Sequence, residues 1–82
     1  MTTVKIRKGV ELEYSNLALI THSPSEFVLD FAKILPGNGD AECFSRIVMT
    51  PAQARYLLEA LRLNIEKFES VNNKIQDKQN DT

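Results

Sequence analysis

Residues 21–37, THSPSEFVLDFAKILPG, are typical of a β-strand that is entered through one turn and left through another. The segments HSPS at 22–25 and PGNGD at 36–40 supply the turn chemistry, because proline fixes φ and glycine readily takes positive φ. Apolar side chains alternate onto both faces of this strand, and Asp30 lies in its middle. Both faces therefore need cover, and the carboxylate needs a partner.

Two similar segments flank this strand. Residues 12–21, LEYSNLALIT, and residues 41–50 are rich in strand formers, and their links to the strand at 26–35 are short enough for hairpins. The pattern predicts an antiparallel meander of three strands. VKIR at 4–7 is a candidate for a fourth strand at the sheet edge.

The periodicity changes from two to three and four at MTPAQARYLLEALRLNIEKFES, residues 49–70. Thr50 is a good N-cap, Pro51 suits the first helical position, and Gln53 stands three residues after the cap, as in a capping box. These signals predict a long amphipathic helix that packs on another element. Its apolar stripe, which extends towards Val71 and Ile75, consists of Ala54, Leu57, Leu58, Leu61, Ile65 and Phe68.

The predicted fold class is therefore α+β, with an antiparallel meander of three or four strands followed by one long C-terminal amphipathic helix packed on one sheet face. Residues 1–71 are predicted to form a single domain. Residues 72–82 are polar and poor in core formers, and we predict a disordered tail there.

Turns centred on Pro24 and Asn38 give registers in which opposing residue numbers sum to 48 and 76. One sheet face then collects most of the Phe and Leu side chains, and we expect the helix to cover it. The other face carries Asp30 directly opposite Arg46. A shift by one residue would set Arg46 against Phe31 on the richer apolar face, which costs more because an unpaired charge would be buried.

The second face stays apolar and uncovered in this arrangement, which on a small soluble domain favours an interface with a second copy. A lesser apolar strip on the far side of the helix, with Tyr56, Ala60 and Leu63, supports the same interpretation. The predicted interface comprises Tyr14, Ile20, Val28, Asp30, Ala32, Ile34, Phe44, Arg46, Val48, Tyr56 and Leu63.

Composition argues against several classes of partner. The chain has 82 residues with ten Lys and Arg against eleven Asp and Glu, so the field of the whole molecule does not attract phosphate backbones or anionic lipid. Its apolar runs are too short to span a bilayer. The lone Cys43 and a start without a secretory signal pattern predict a cytoplasmic protein.

No residue pattern indicates catalysis, a cofactor or a metal, and we predict that the protein is not an enzyme. His22 lies in a turn beside serines, where a contact to backbone is far commoner than a catalytic pair. Cys43 has no neighbouring cation, so a packed, inert thiol is expected. The basic residues Lys5, Arg7 and Lys8 lack interleaved aromatic residues and are expected to guard a sheet edge.

The segments YSNLALITHSPSEFVLDFAKILPG and SRIVMTPAQARYLLEALRLNIEKFE resemble a family of small bacterial proteins described as a domain of unknown function. The resemblance covers residues 12–69 and implies no activity, cofactor or binding residue. The arrangement of an antiparallel sheet followed by a long helix is also similar to the bacterial secretion chaperone fold. The matching positions include Tyr14, Asn16, His22, Pro24, Asp30, Pro36, Arg46, Pro51 and Leu57.

These observations favour a cytoplasmic homodimer that binds another, unidentified protein. The rival classes are an enzyme, which a deep pocket with convergent polar groups would favour, and two kinds of binding protein. One is a nucleic-acid-binding regulator that uses Lys5, Arg7, Lys8, Arg55 and Arg62. The other, by fold analogy, is a chaperone-like binder of polypeptides.

Overall fold

A computed structural model describes residues 2–37 and 39–80, with side chains as far as residue 72. The elements are β1 (Leu17–His22), β2 (Phe27–Ile34), β3 (Ala41–Met49) and α1 (Pro51–Asn80). The strands form one antiparallel sheet in the order β1-β2-β3, and a single helix follows. This confirms the α+β prediction.

The chain divides into two compact units. One unit comprises Met1–Ile20 and Leu29–Ile47, and the other comprises Thr21–Val28 and Val48–Thr82. The first unit contains most of β2 and β3, whereas the second contains the first hairpin turn and the helix. A single domain over residues 1–71 stays a prediction.

The turn between β1 and β2 is a two-residue loop. The Ser23 amide donates to the Glu26 carbonyl at 2.9 Å, and the Ser23 hydroxyl accepts from the amides of Ser25 and Glu26 at 3.3 and 3.2 Å. Opposing residue numbers therefore sum to 49 at this turn, and the predicted turn centred on Pro24 is wrong by half a residue. The hydroxyl of Ser23 explains the difference, because it closes the shorter loop.

At its closing pair, Leu35 and Asp40, the second hairpin also differs from its predicted register, because these residue numbers sum to 75 rather than 76. The Leu35 amide donates to the Asp40 carbonyl at 2.8 Å and closes a loop in which Gly37 and Gly39 have φ values of 98° and 78°. Only glycine adopts such angles without strain. Asn38, on which the predicted turn was centred, lies outside the described residues.

Residues 4–7 do not form a fourth strand. The Val10 amide donates to the Arg7 carbonyl at 3.2 Å in a turn where Gly9 has a φ of 93°. Closer to β1, the side-chain oxygen of Asn16 accepts the Ile34 amide at 2.7 Å. That amide is the donor a longer first strand would need, so the pairing of β1 with β2 ends beside Asn16. Of the three or four strands predicted, the described residues form three.

The helix begins as the sequence predicts. The Thr50 hydroxyl accepts from the Gln53 amide at 3.1 Å, and the Thr50 carbonyl accepts from the Ala54 amide at 3.0 Å. These bonds satisfy amides that have no partner inside the helix. The helix continues past residue 71 to Asn80, because no glycine or proline follows Pro51 to stop it. Disorder of residues 72–82 stays a prediction.

Very few of the side chains that the structure describes are buried within the single chain. Among the described residues, the hydrophobic side chains that are buried are Leu29 and Ala32, at 5% and 3% exposure. Leu58 and Phe68 on the helix stripe are 58% and 64% exposed. The prediction that this stripe is buried is therefore wrong for the single chain. A chain of this size buries too small a fraction of its surface to cover every apolar face by itself.

Candidate interaction surfaces

A bidentate ion pair joins Asp30, near the middle of β2, to Arg46, near the middle of β3. The Arg46 Nε lies 2.8 Å from the Asp30 Oδ1, and its second guanidinium nitrogen lies 3.2 Å from Oδ2. The hydrogen bond to Asp30 and the charge of that carboxylate raise the pKa of Arg46. The sequence prediction that these residues stand opposite each other is confirmed.

The two members of this pair differ in exposure. The Asp30 side chain is 17% exposed, whereas that of Arg46 is 73% exposed. The guanidinium therefore covers the carboxylate from the solvent side. An exposed cation above an enclosed anion allows a partner to approach the pair without uncovering an unpaired charge.

Apolar side chains surround this pair on the same two strands, and together these residues form what we call the sheet surface. Ala32 is buried, Phe44 is half-buried and Ile34 is exposed. Residues two apart on a strand share a face, so these three side chains lie on the face that bears the ion pair. The members of the sheet surface are Asp30, Ala32, Ile34, Phe44 and Arg46.

Ser15 and Asn16, which precede β1, form hydrogen bonds with backbone groups at the end of β2. The Ser15 hydroxyl donates to the Ala32 carbonyl at 3.0 Å, and the Asn16 amide donates to the same carbonyl at 3.2 Å. The Asn16 side-chain oxygen accepts a hydrogen bond from the backbone amide of Ile34. The sequence did not predict these hydrogen bonds, because an Asn before a strand can bond to many different backbone groups. This edge of the sheet is blunted against further strand pairing at this point.

The second surface is the exposed stripe of α1, which we call the helix surface and define as Leu58, Leu61, Ile65 and Phe68. All four side chains are exposed in the single chain. Beside them lies a shallow depression of about 300 Å³ whose lining is mainly apolar. Its lining residues are Leu58, Leu61, Arg62, Ile65, Glu66 and Glu69.

Arg62, at the rim of the depression, is held by two carboxylates of its own helix. It donates to Glu59 at 2.8 Å and also to Glu66. These bonds raise the pKa of Arg62, and the bond with Arg62 lowers the pKa of Glu59. The spacings of three and four residues are those at which helical side chains meet, so the sequence could have predicted this network.

The remaining predicted interface residues vary in exposure. Val28 is half-buried. The others are exposed, which an interface residue must be in the free chain, but their role stays a prediction. These exposed residues are Tyr14, Ile20, Val48, Tyr56 and Leu63.

His22 and Cys43, the side chains that the sequence offered for catalysis, have surroundings that differ from those expected. The His22 ring stacks on Phe27 with centroids 5.3 Å apart, rather than showing the backbone contact that was expected. The Cys43 thiol is exposed, so the expectation of a packed thiol is wrong. Within the described residues, no three His, Cys, Asp or Glu side chains group as a metal site would require. In the same part of the chain, no helix has the length and apolarity needed to cross a membrane.

A protein-family model described as a protein of unknown function, DUF3467, matches residues 3–77. The chain belongs to the DUF3467 family. The match extends beyond residues 12–69, on which the resemblance seen in the sequence rested, and it includes both surfaces of this DUF3467 protein. No curated protein and no solved structure was found to match the sequence. The function of this family member is therefore argued from its own surfaces.

Proposed function

We propose that this DUF3467 protein is a small cytoplasmic interaction module, without enzymatic activity, that works as a homodimer and binds another protein. The observation that carries the proposal is the scarcity of buried apolar side chains, limited to Leu29 and Ala32 among the described residues. Folding depends on burying apolar area, and two such residues supply little of it. Self-association is one of the ways in which a small chain completes its core.

The sheet surface suits an interface between copies. It combines apolar side chains with one ion pair whose two charges already satisfy each other. A buried pair of this kind adds little net stability, but it penalises registers in which either charge loses its partner. The Asp30–Arg46 pair would therefore fix how two copies align.

The ion pairs that Arg62 forms argue against the nucleic-acid alternative. Arg62, one of the five residues proposed for phosphate contacts, is engaged by Glu59 and Glu66. Those carboxylates would repel a phosphate backbone at the same place. The net charge of −1 points the same way.

Binding of unfolded polypeptide is the second candidate. The exposed leucines and phenylalanine of the helix surface favour it, because apolar side chains in an extended substrate would be covered there. In this second proposal the helix surface binds unfolded polypeptide, whereas the interaction module needs no such activity. A self-associated protein that fails to suppress aggregation of an unfolded test protein would favour the interaction module alone.

The experiment compares the wild type with Val28→Glu by sedimentation velocity. A new carboxylate beside the sheet surface would lack a partner in an interface, so we expect this variant to be monomeric or aggregated. Ser25→Glu, in the exposed turn, is the matched control and should sediment like the wild type. Equal sedimentation of all three proteins as dimers would remove the sheet surface from the interface.

A further inference from the structure

The helix surface repeats with the spacing of a coiled coil. Leu58, Leu61, Ile65 and Phe68 follow one another at intervals of three, four and three residues. These are successive a and d positions of a heptad, which form a seam along one side of a helix. All four are exposed in the single chain, so the seam is open to a second helix.

The depression on this seam is lined by residues with the spacing that such a helix requires. Leu58, Leu61, Arg62 and Ile65 line it at relative positions i, i+3, i+4 and i+7. Four residues with this spacing enclose the hole that receives one side chain of a facing helix. A large aliphatic side chain of that helix would contact the three apolar residues Leu58, Leu61 and Ile65.

Charge decides the direction of the facing helix. Arg55 and Glu69 lie on the same edge of the seam, two heptads apart. An antiparallel second copy places each of them near the opposite charge of the other helix. Arg62, which lies between them on this edge, comes near Arg62 of the second copy, but Glu59 and Glu66 already neutralise it. A parallel copy would set this edge against Leu57, Asn64 and Val71, which carry no charge.

We propose that α1 pairs antiparallel with α1 of a second copy, in the register that sets Leu61 against Ile65 of that copy. The same register sets Leu58 against Phe68, and it repeats both contacts by symmetry. It brings Arg55 within two helix positions, about 3 Å along the axis, of the level of Glu69. This inference rests on the proposed self-association and assigns the helix surface to the interface between the two copies.

The first test replaces a seam residue by a charge. Leu61→Glu keeps high helix propensity but puts a carboxylate into the seam, so we expect the dissociation constant of the assembly to rise at least about 100-fold. Ser70→Glu is the matched control, because nine residues at about 100° each place it opposite Leu61. It should leave the dissociation constant unchanged. Circular dichroism shows whether each variant keeps its helix.

The second test leaves the apolar seam intact and examines direction. Arg55→Glu sets two carboxylates together at both ends of an antiparallel pair, and we expect a roughly tenfold rise in the dissociation constant at low salt. The double change Arg55→Glu with Glu69→Arg restores opposite charges and should return the constant to the wild-type value. In a parallel pair, where this edge faces uncharged residues, neither the single nor the double change would alter the constant appreciably.

The outcomes separate this inference from the proposed function. A wild type that stays monomeric overturns both. An associated wild type together with an unchanged Leu61→Glu overturns helix pairing but leaves self-association standing. Loss of association in Leu61→Glu without rescue by the double charge change overturns the antiparallel arrangement.

Discussion

The side-chain oxygen of Asn16 accepts the backbone amide of Ile34 at 2.7 Å and ends the pairing between β1 and β2. A side chain here does what the backbone of a longer strand would otherwise do. The residues before Ser15 therefore leave the sheet, although their alternating pattern resembles that of a strand. One amide side chain thus sets the length of the first strand.

Asn16→Ala should destabilise the fold by about 1 kcal/mol, because it removes the acceptor of a backbone donor. Asn16→Asp keeps an acceptor in the same place and is the control. Hydrogen exchange at the Ile34 amide is the local measurement, and it should quicken in Asn16→Ala only. Equal protection in all three proteins would show that the contact contributes nothing.

Thr50→Ala should cost about 1 kcal/mol, because the Thr50 hydroxyl accepts from the otherwise unpaired Gln53 amide. Urea unfolding followed by circular dichroism measures the loss. Thr3→Ala, outside any element, is the control for the loss of a hydroxyl as such. Superimposable curves for Thr50→Ala and wild type would contradict the capping role.

Arg46→Met should destabilise the protein more than the double change Asp30→Leu with Arg46→Met. The single change leaves the poorly exposed Asp30 carboxylate without its cation, whereas the double change removes both charges. Thermal unfolding at equal concentrations orders the two variants. The reverse order would mean that Asp30 remains well solvated without Arg46.

Glu59 gives a prediction about pH, because its hydrogen bond with Arg62 lowers its pKa. A pKa lowered by folding means that the contact stabilises the helix above the unfolded value of about 4.3 and loses this effect as pH falls through the folded value. NMR titration of the Glu59 carboxyl should show a higher pKa in Arg62→Gln than in wild type. An identical pKa in both would place Arg62 elsewhere in solution.

The sequence predicted the elements that local chemistry determines. Thr50 and Pro51 mark the helix start because capping acts within one turn, and the alternation around Asp30 placed Arg46 opposite it because the side-chain period of a strand is fixed. The first turn was misplaced because the Ser23 hydroxyl selects between loops of similar length.

Burial could not be predicted in the same way. The stripe that contains Leu58 and Leu61 correctly indicated a surface that seeks apolar cover, but periodicity does not say whether the cover comes from the same chain. The role of Asn16 was likewise invisible, because it depends on an amide eighteen residues away. Tertiary partners decide both features.

Sedimentation equilibrium of the wild type over a range of micromolar concentrations tests the central claim most directly. Because so few of the described apolar side chains are buried within one chain, we predict a mass of twice the 9.3 kDa chain, falling towards one chain on dilution. The stability against urea should fall with it. A folded species that keeps the mass of a single chain at every concentration would contradict self-association.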